Sequence, residues 1–350
     1  MREQALRAIL LIQAVEESDS KGELLPLAER VEATQRVLAD AAANIWDSSS
    51  PDTLPRAAER LLARRALYLQ ERLRLRVPIT DHLLAVATGS AARDALLVAA
   101  FIAGVLLAAL NGRGYIEIIS LPLVALLVWN LLTYVLRMAS LARRRPSSVS
   151  GIPALYARWM GNRAGAVLRR ARSFNAPLAA ALPRFASDWA AVARPLVLQR
   201  AKRLFHICAL LVAAAFVAGL LVRGYLLRDA AGWGSSFLAA SVARIFLWLL
   251  YAPAAALAGV SLPASAQEMQ ALHVGADLAG AAAGPWIALI AWTVSIYIIA
   301  PRLIAATVIS LRLWQVATRL RLPASVIPYA RRTLAATPPA VQGVELQEPV

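Results

Sequence analysis

Four apolar runs without a charged residue stand out along the chain: 95–110, 118–136, 207–222 and 285–300. At ~1.5 Å per helical residue, each run with its flanks reaches across a hydrocarbon core of ~30 Å. The pattern predicts an all-α, polytopic membrane protein with four transmembrane helices, over about 95–110, 118–136, 205–222 and 285–303. A fifth apolar stretch, 237–260, carries Arg244 internally and Pro253 beyond its middle. Its Ser241, Arg244, Trp248 and Tyr251 recur at spacings of three and four, on one helical face. That arrangement suits an interfacial or re-entrant helix.

Between these runs the periodicity is helical and the surface polar. Residues 1–90 read as a cytoplasmic domain of amphipathic helices, the first of them in residues 1–19, which lack the cleavage site of a signal peptide. The SSSPDTLP turn at 48–55 restarts the chain into a long charged helix that ends before Pro78. In residues 137–204, Pro146, Pro153, Pro177, Pro183 and Pro195 divide a basic region into short helices. After the last span, 304–350 reads as a basic helix followed by a proline-rich disordered tail.

Charge orients the whole. The chain carries a net charge of +16, almost all of it from arginine, since Lys21 and Lys202 are its only lysines. Residues 137–204 hold 14 Lys/Arg against a single acid, Asp188, which the positive-inside tendency assigns to the cytoplasm. The C-terminal Arg302, Arg312, Arg319, Arg321, Arg331 and Arg332 assign the tail to the same side. Residues 261–284 contain Glu268 and Asp277 and no Lys/Arg, so they read as extracytoplasmic. These assignments agree if 237–260 does not cross, which makes 223–284 an outside cap. Both termini are then cytoplasmic. Membrane topology accounts for the basic excess, so nucleic acid is not expected as a partner.

Several residues stand where polarity is costly. Asn130 lies inside the second run and is expected to face another helix and find a hydrogen-bond partner. Arg223, Arg228, Asp229 and Arg244 lie within or beside apolar segments, where an unpaired charge costs on the order of 3 kcal/mol on insertion scales. Trp233 and Tyr225 fit an interfacial aromatic belt. Ala100/Gly104 and Ala215/Gly219 give the small-xxx-small spacing that lets helices approach closely. Arg143, Arg144, Arg145, Arg169, Arg170 and Arg172 form a basic face suited to anionic headgroups or a docked partner.

The chain carries none of the phosphate-loop, dinucleotide, zinc-protease or nucleophile-elbow motifs. Its one cysteine, Cys208, excludes an intrachain disulfide and a cysteine cluster, and His82, His206 and His273 fall in separate regions. No cofactor or metal is expected, and no enzymatic activity.

The arginine-rich approach RAKRLFH (200–206), the helix end GLLVRGYLL (219–227) and AGWGSSFL (231–238) occur in this order, followed by GPWIAL (284–289) and PRLIAA (301–306). In these features the chain resembles a bacterial inner-membrane family catalogued as domain of unknown function 2868. The family pattern places a glutamate after the tryptophan, where this chain has Gly234. The resemblance implies a two-component membrane assembly with a GTPase-domain protein. The first functional expectation is therefore a non-enzymatic scaffold or anchor for a cytoplasmic partner. The alternative is a subunit of an oligomeric transporter or channel, with Asn130, Arg223, Asp229 and Arg244 lining its path.

Overall fold

A computed structural model describes residues 3–39, 54–78, 90–111, 114–142, 155, 176–227, 230–235, 237–274 and 281–335. These residues are about 81% helical. They fall into two compact units: a charged unit of residues 1–90, 154–200 and 312–350, and an apolar unit of 91–153 and 201–311.

The charged unit is assembled around α1 (Glu3–Ser18), joined by α2 (Leu27–Ala39) and α3 (Arg56–Arg76). Ten of the 16 residues of α1 are buried, from Ala5 through Val15, including Gln13. A helix expected to be amphipathic is therefore enclosed nearly all round. Its Leu6, Ile9, Leu10 and Ile12 meet Leu62, Leu69 and Leu73 of α3, together with Leu178, Leu182 and Phe185 from the start of α6 (Ala176–Leu226). Val326, Tyr329 and Ala330 of the last helix, α11 (Val326–Ala335), close the same core. The turn after α1 is built on Asp19, whose carboxylate accepts the amides of Glu23, Leu24 and Leu25 at 2.8–3.0 Å and pairs with Arg30 at 2.9 Å. Burial alone would raise the pKa of Asp19; those amides and the Arg30 charge outweigh it and hold the group below its ordinary value.

The sequence expectation that prolines divide 137–204 into short helices fails for its second half. The helix α6 runs through both Pro183 and Pro195. Each interior proline removes one backbone hydrogen bond, at a cost of ~3 kcal/mol. Leu178, Ala181, Leu182, Phe185 and Leu196, all buried around these breaks, offset that cost by packing.

The apolar unit contains α4 (Ser90–Ala109), α5 (Leu121–Ala142), the second half of α6, and α7 (Ala240–Ala258) with the short α8 (Ala266–Ala271). A long helical run completes it: α9 (Ala283–Val294), a π-helical turn at Ser295–Ile299, and α10 (Ala300–Thr318). Four helical stretches among the described residues are long and apolar enough to cross a membrane: Ala92–Ala109, Pro177–Leu226, Ala240–Ala258 and Ala283–Thr318. The number agrees with the sequence expectation. The stretch Ala240–Ala258 qualifies by length and composition, and α5 itself runs 22 residues, of which Leu121–Leu136 form a shorter apolar stretch among the described residues. The expected second span loses its first residues because 115–120 are spent on a strand and a cap. Ser120 Oγ accepts the Leu123 amide at 3.3 Å, and Pro122 occupies the first helical turn.

That strand, β1 (Tyr115–Glu117), pairs in parallel with β2 (Ala230–Gly232), which pairs antiparallel with β3 (Ala281–Ala282). Tyr115 stands opposite Ala230, and Ala230 opposite Ala282. The sheet ties together the α4–α5 connection, the end of α6 and the start of α9. It also gathers the surroundings of α7. Ahead of α7, Trp233 donates its amide to Leu272 O at 3.0 Å; behind it, Val274 returns an amide to Trp233 O at 3.0 Å. From within α7, the Tyr251 hydroxyl donates to Ile118 O at 2.6 Å, one residue beyond β1.

Helices α4 and α6 pack through the small residues. A Cβ at Gly104 would lie 2.7 Å from Ala215 Cβ, and one at Gly219 would lie 2.6 Å from Ala108 Cβ. The two sequence motifs thus meet each other.

Candidate functional site

The charged unit carries an open cleft of about 650 Å³. Its floor is an interlocked polar group drawn from four helices. Arg65 of α3 donates to Glu16 Oε1 at 2.7 Å, to the Tyr329 hydroxyl at 3.0 Å and, through Nε, to Thr34 Oγ1 at 2.8 Å. Tyr329 in turn donates to Glu16 Oε2 at 2.7 Å. Burial opposes the charge on Arg65, but Tyr329 and Glu16 more than offset it and leave its pKa raised. Burial, with the Glu16 carboxylate adding to it, pushes the Tyr329 phenol well above its usual range. Arg65 therefore stays charged and the Tyr329 phenol neutral through the physiological range, and each member of the group is hydrogen-bonded to another. Such an interlocked floor is rigid.

The rim is different. Arg184 and Arg332 both face Glu17, at 2.9 and 3.7 Å, and both are largely exposed. Leu27 and Val31, four residues apart on α2, add apolar surface beside them. The cleft can hold a segment that offers carboxylates and apolar side chains together.

The apolar unit contains a second constellation, centred on Arg302. Its side chain is buried, with Nε donating to Asn130 Oδ1 at 2.8 Å and Nη2 to Thr133 Oγ1 at 2.8 Å. His206 Nδ1 lies 3.5 Å from Nη1, and the Tyr134 ring faces the guanidinium at 5.3 Å. Local helix geometry explains why Arg302 reaches this position. Pro301 has no N–H for the carbonyl four residues back and its ring crowds that carbonyl. The π turn at Ser295–Ile299 widens the helix immediately before it, and the freed Tyr297 carbonyl accepts the Tyr134 hydroxyl at 3.2 Å. The helix consequently continues past Pro301-Arg302 to Thr318.

Comparison of the chain with protein-family models, with curated proteins and with solved structures finds no match.

Of the residues singled out in the sequence, Asn130 alone belongs to the Arg302 constellation. It is buried and hydrogen-bonded, as its place in an apolar run required. Arg223 serves the helix end: Nη1 donates to Asn111 O at 2.8 Å and to Ala108 O at 3.4 Å, meeting the carbonyls left open where α4 stops. Trp233 departs from the aromatic-belt expectation. It is buried, donates Nε1–H to Met269 O at 2.8 Å and stacks edge-on to His273 at 4.8 Å, whereas Tyr225 is exposed. On α7, the expected single polar face divides: Tyr251 is buried, Trp248 donates to Pro263 O at 2.9 Å, and Ser241 is exposed. Arg244 is partly exposed. Arg228 and Asp229, and the basic face Arg143, Arg144, Arg145, Arg169, Arg170 and Arg172, lie outside the described residues.

Sequence reasoning missed Arg302, Thr133 and His206 as one cluster, and missed the Glu16–Arg65–Tyr329 floor. The Pro301-Arg302 pair after an apolar run was the available signal for the first. The floor had no comparable signal, since its members are separated by up to 313 residues.

Proposed function

We propose that this chain is a non-enzymatic, multi-pass scaffold of a bacterial inner membrane, whose charged unit docks a cytoplasmic partner. The observation that carries this reading is the cleft: a separately cored helical unit presents an open, arginine-rimmed groove over a fully hydrogen-bonded floor. A floor whose donors and acceptors already bond one another suits recognition better than proton-transfer chemistry. By the family resemblance the partner is a GTPase-domain protein. The basic face at 143–145 and 169–172 would add anionic lipid headgroups.

The reading includes a topology in which α7 lies across one end of the apolar unit without crossing the membrane. The attachments of its surroundings support this. A crossing helix of 19 residues would extend ~28 Å, yet β2 before it and β3 after it belong to the same small sheet, and Tyr251 within it bonds Ile118, next to β1. Cysteines placed singly at Ser261 and Ala324, in a chain with Cys208 replaced by alanine, test the arrangement with a membrane-impermeant maleimide on intact cells. Labelling at 261 and protection at 324 is the expected result. Equal behaviour of the two positions would overturn the topology.

The docking reading is tested by purification in mild detergent with mass spectrometry of associated proteins. The expected result is a stoichiometric GTPase-domain protein that is lost when Arg184 and Arg332 are both changed to glutamate. Deleting residues 140–200 would be a poor substitute, because Leu178, Leu182 and Phe185 belong to the core. Retention of the partner in the double variant would refute docking at the cleft.

The second reading is an oligomeric transporter or channel, and the Arg302 constellation favours it. Buried cations at membrane depth and π turns are both concentrated at functional sites. Ion flux in liposomes that is abolished by Arg302→Met would establish this reading over the first.

A further inference from the structure

Among the described residues, four arginines and two glutamates line the cleft, and Asp19, outside the lining, pairs with Arg30. Arg30 and Arg65 are already held by Asp19 and Glu16, at 2.9 and 2.7 Å. Arg184 and Arg332 share the single carboxylate of Glu17. Beside them Leu27 is 73% exposed and Val31 37% exposed. An occupant of this surface needs a carboxylate next to branched apolar side chains.

Residues 336–350, ATPPAVQGVELQEPV, have that chemistry. They contain no Lys or Arg, and Glu345 is flanked by Val344 and Leu346, with Glu348 three residues further on. They also begin at the right place, directly after α11, whose Arg332 and Thr333 line the cleft. Pro338 and Pro339 follow three and four residues after the last residue of that helix, Ala335. Ten extended residues from Ala335 to Glu345 reach up to about 33 Å. A covalently attached segment of this length experiences an effective concentration in the millimolar range, so a site of weak intrinsic affinity is filled.

We propose that residues 336–350 occupy the cleft in cis. Glu345 or Glu348 supplies the second carboxylate for Arg184 and Arg332, and Val344 and Leu346 cover Leu27 and Val31. If the cleft is also the docking surface proposed above, a partner must displace this segment, and the chain carries its own competitor. Occupancy itself does not depend on that reading.

The scarcity of lysine makes a direct test possible. In the full chain, Arg184→Lys adds one primary amine at the rim to the side-chain amines of Lys21 and Lys202. Treatment of the detergent-solubilised variant with a carbodiimide joins that amine to any carboxylate in contact with it. Mass spectrometry of the monomeric band is expected to show the introduced lysine joined to Glu345 or Glu348 as well as to Glu17. The tail product should be depleted when 1 M salt is present during the reaction. Products to Glu17 alone would overturn the proposal. So would products to a co-purifying protein with none to the tail, which would make the cleft a site for a partner only. Partner capture by a chain lacking 336–350 separates the consequence from the occupancy. A several-fold rise is expected, and unchanged capture would remove the regulatory role. Absence of any partner in either form would count against the docking reading, without altering the cross-linking result.

Discussion

Replacing Gly104 by alanine sets two effects of opposite sign against each other. In an ordinary helix interior the change stabilises by about 1 kcal/mol, because alanine restricts the unfolded chain more than glycine does. At this position the new Cβ would stand 2.7 Å from Ala215 Cβ and 3.1 Å from the Phe216 amide nitrogen, and closer still to the Val212 carbonyl oxygen. Two of those three atoms are backbone of α6, so no side-chain rotation relieves the crowding. Forcing a methyl group into such a contact costs about 1–3 kcal/mol, and the net expectation is a loss of up to about 2 kcal/mol. Gly284→Ala is the matched control, since a Cβ there meets nothing within 4 Å. It should be neutral or slightly stabilising. Thermal loss of the monodisperse species in mild detergent ranks the two variants against the parent chain, with both scanned at one rate because such unfolding is seldom reversible. The expected order places Gly284→Ala at or above the parent and Gly104→Ala below it. If Gly104→Ala melts above the parent, the close approach of α4 and α6 is not what determines the residue at position 104.

Three other substitutions report on the polar sites by the same assay. Asn130→Leu removes the acceptor 2.8 Å from Arg302 Nε in a buried setting, where a hydrogen bond to a charged group is worth about 1.5–3 kcal/mol; a variant as stable as the parent would show that the contact contributes nothing. Arg65→Met leaves the Glu16 carboxylate without its main partner and should cost about 3–5 kcal/mol; adding Glu16→Gln should recover part of that loss, and failure to recover would refute charge pairing as its source. Asp19→Asn should destabilise at neutral pH, because the folded-state pKa of Asp19 lies below its ordinary value. Stability linked to that shift is fully present above the unfolded-state pKa, ~3.9, and is lost as pH falls through the folded-state pKa. The stability gap between parent and variant should therefore close in acid; a gap that stays constant with pH would contradict the assignment.

What could be read in the sequence was decided by the range over which each signal acts. An apolar run declares its own length, so the spans over about 95–110, 205–222 and 285–303 were evident before any contact was known. Small-residue spacing is equally local, and Gly104 and Gly219 were recognisable as packing positions although their mutual partner was not. Polar residues inside apolar runs carry a cost that demands a partner, which is why Asn130 could be singled out while Arg302, counted with the C-terminal basic residues, could not be named as that partner. Trp233 shows the opposite failure. Its position beyond a transmembrane run favoured an interfacial role by base rate, but the Met269 carbonyl and His273 ring that enclose it come from beyond α7. The prolines of α6 mislead for a related reason: their local cost of ~3 kcal/mol each is real, and only the core contributed by α1 and α3 shows what offsets it. The cleft was illegible throughout. Glu16, Thr34, Arg65 and Tyr329 each look like ordinary residues on charged helices, and their chemistry exists only where the four helices meet. Long-range juxtaposition, rather than unusual residue types, therefore makes both candidate sites, and that accounts for the lack of any catalytic or binding motif in a chain with two well-defined polar constellations.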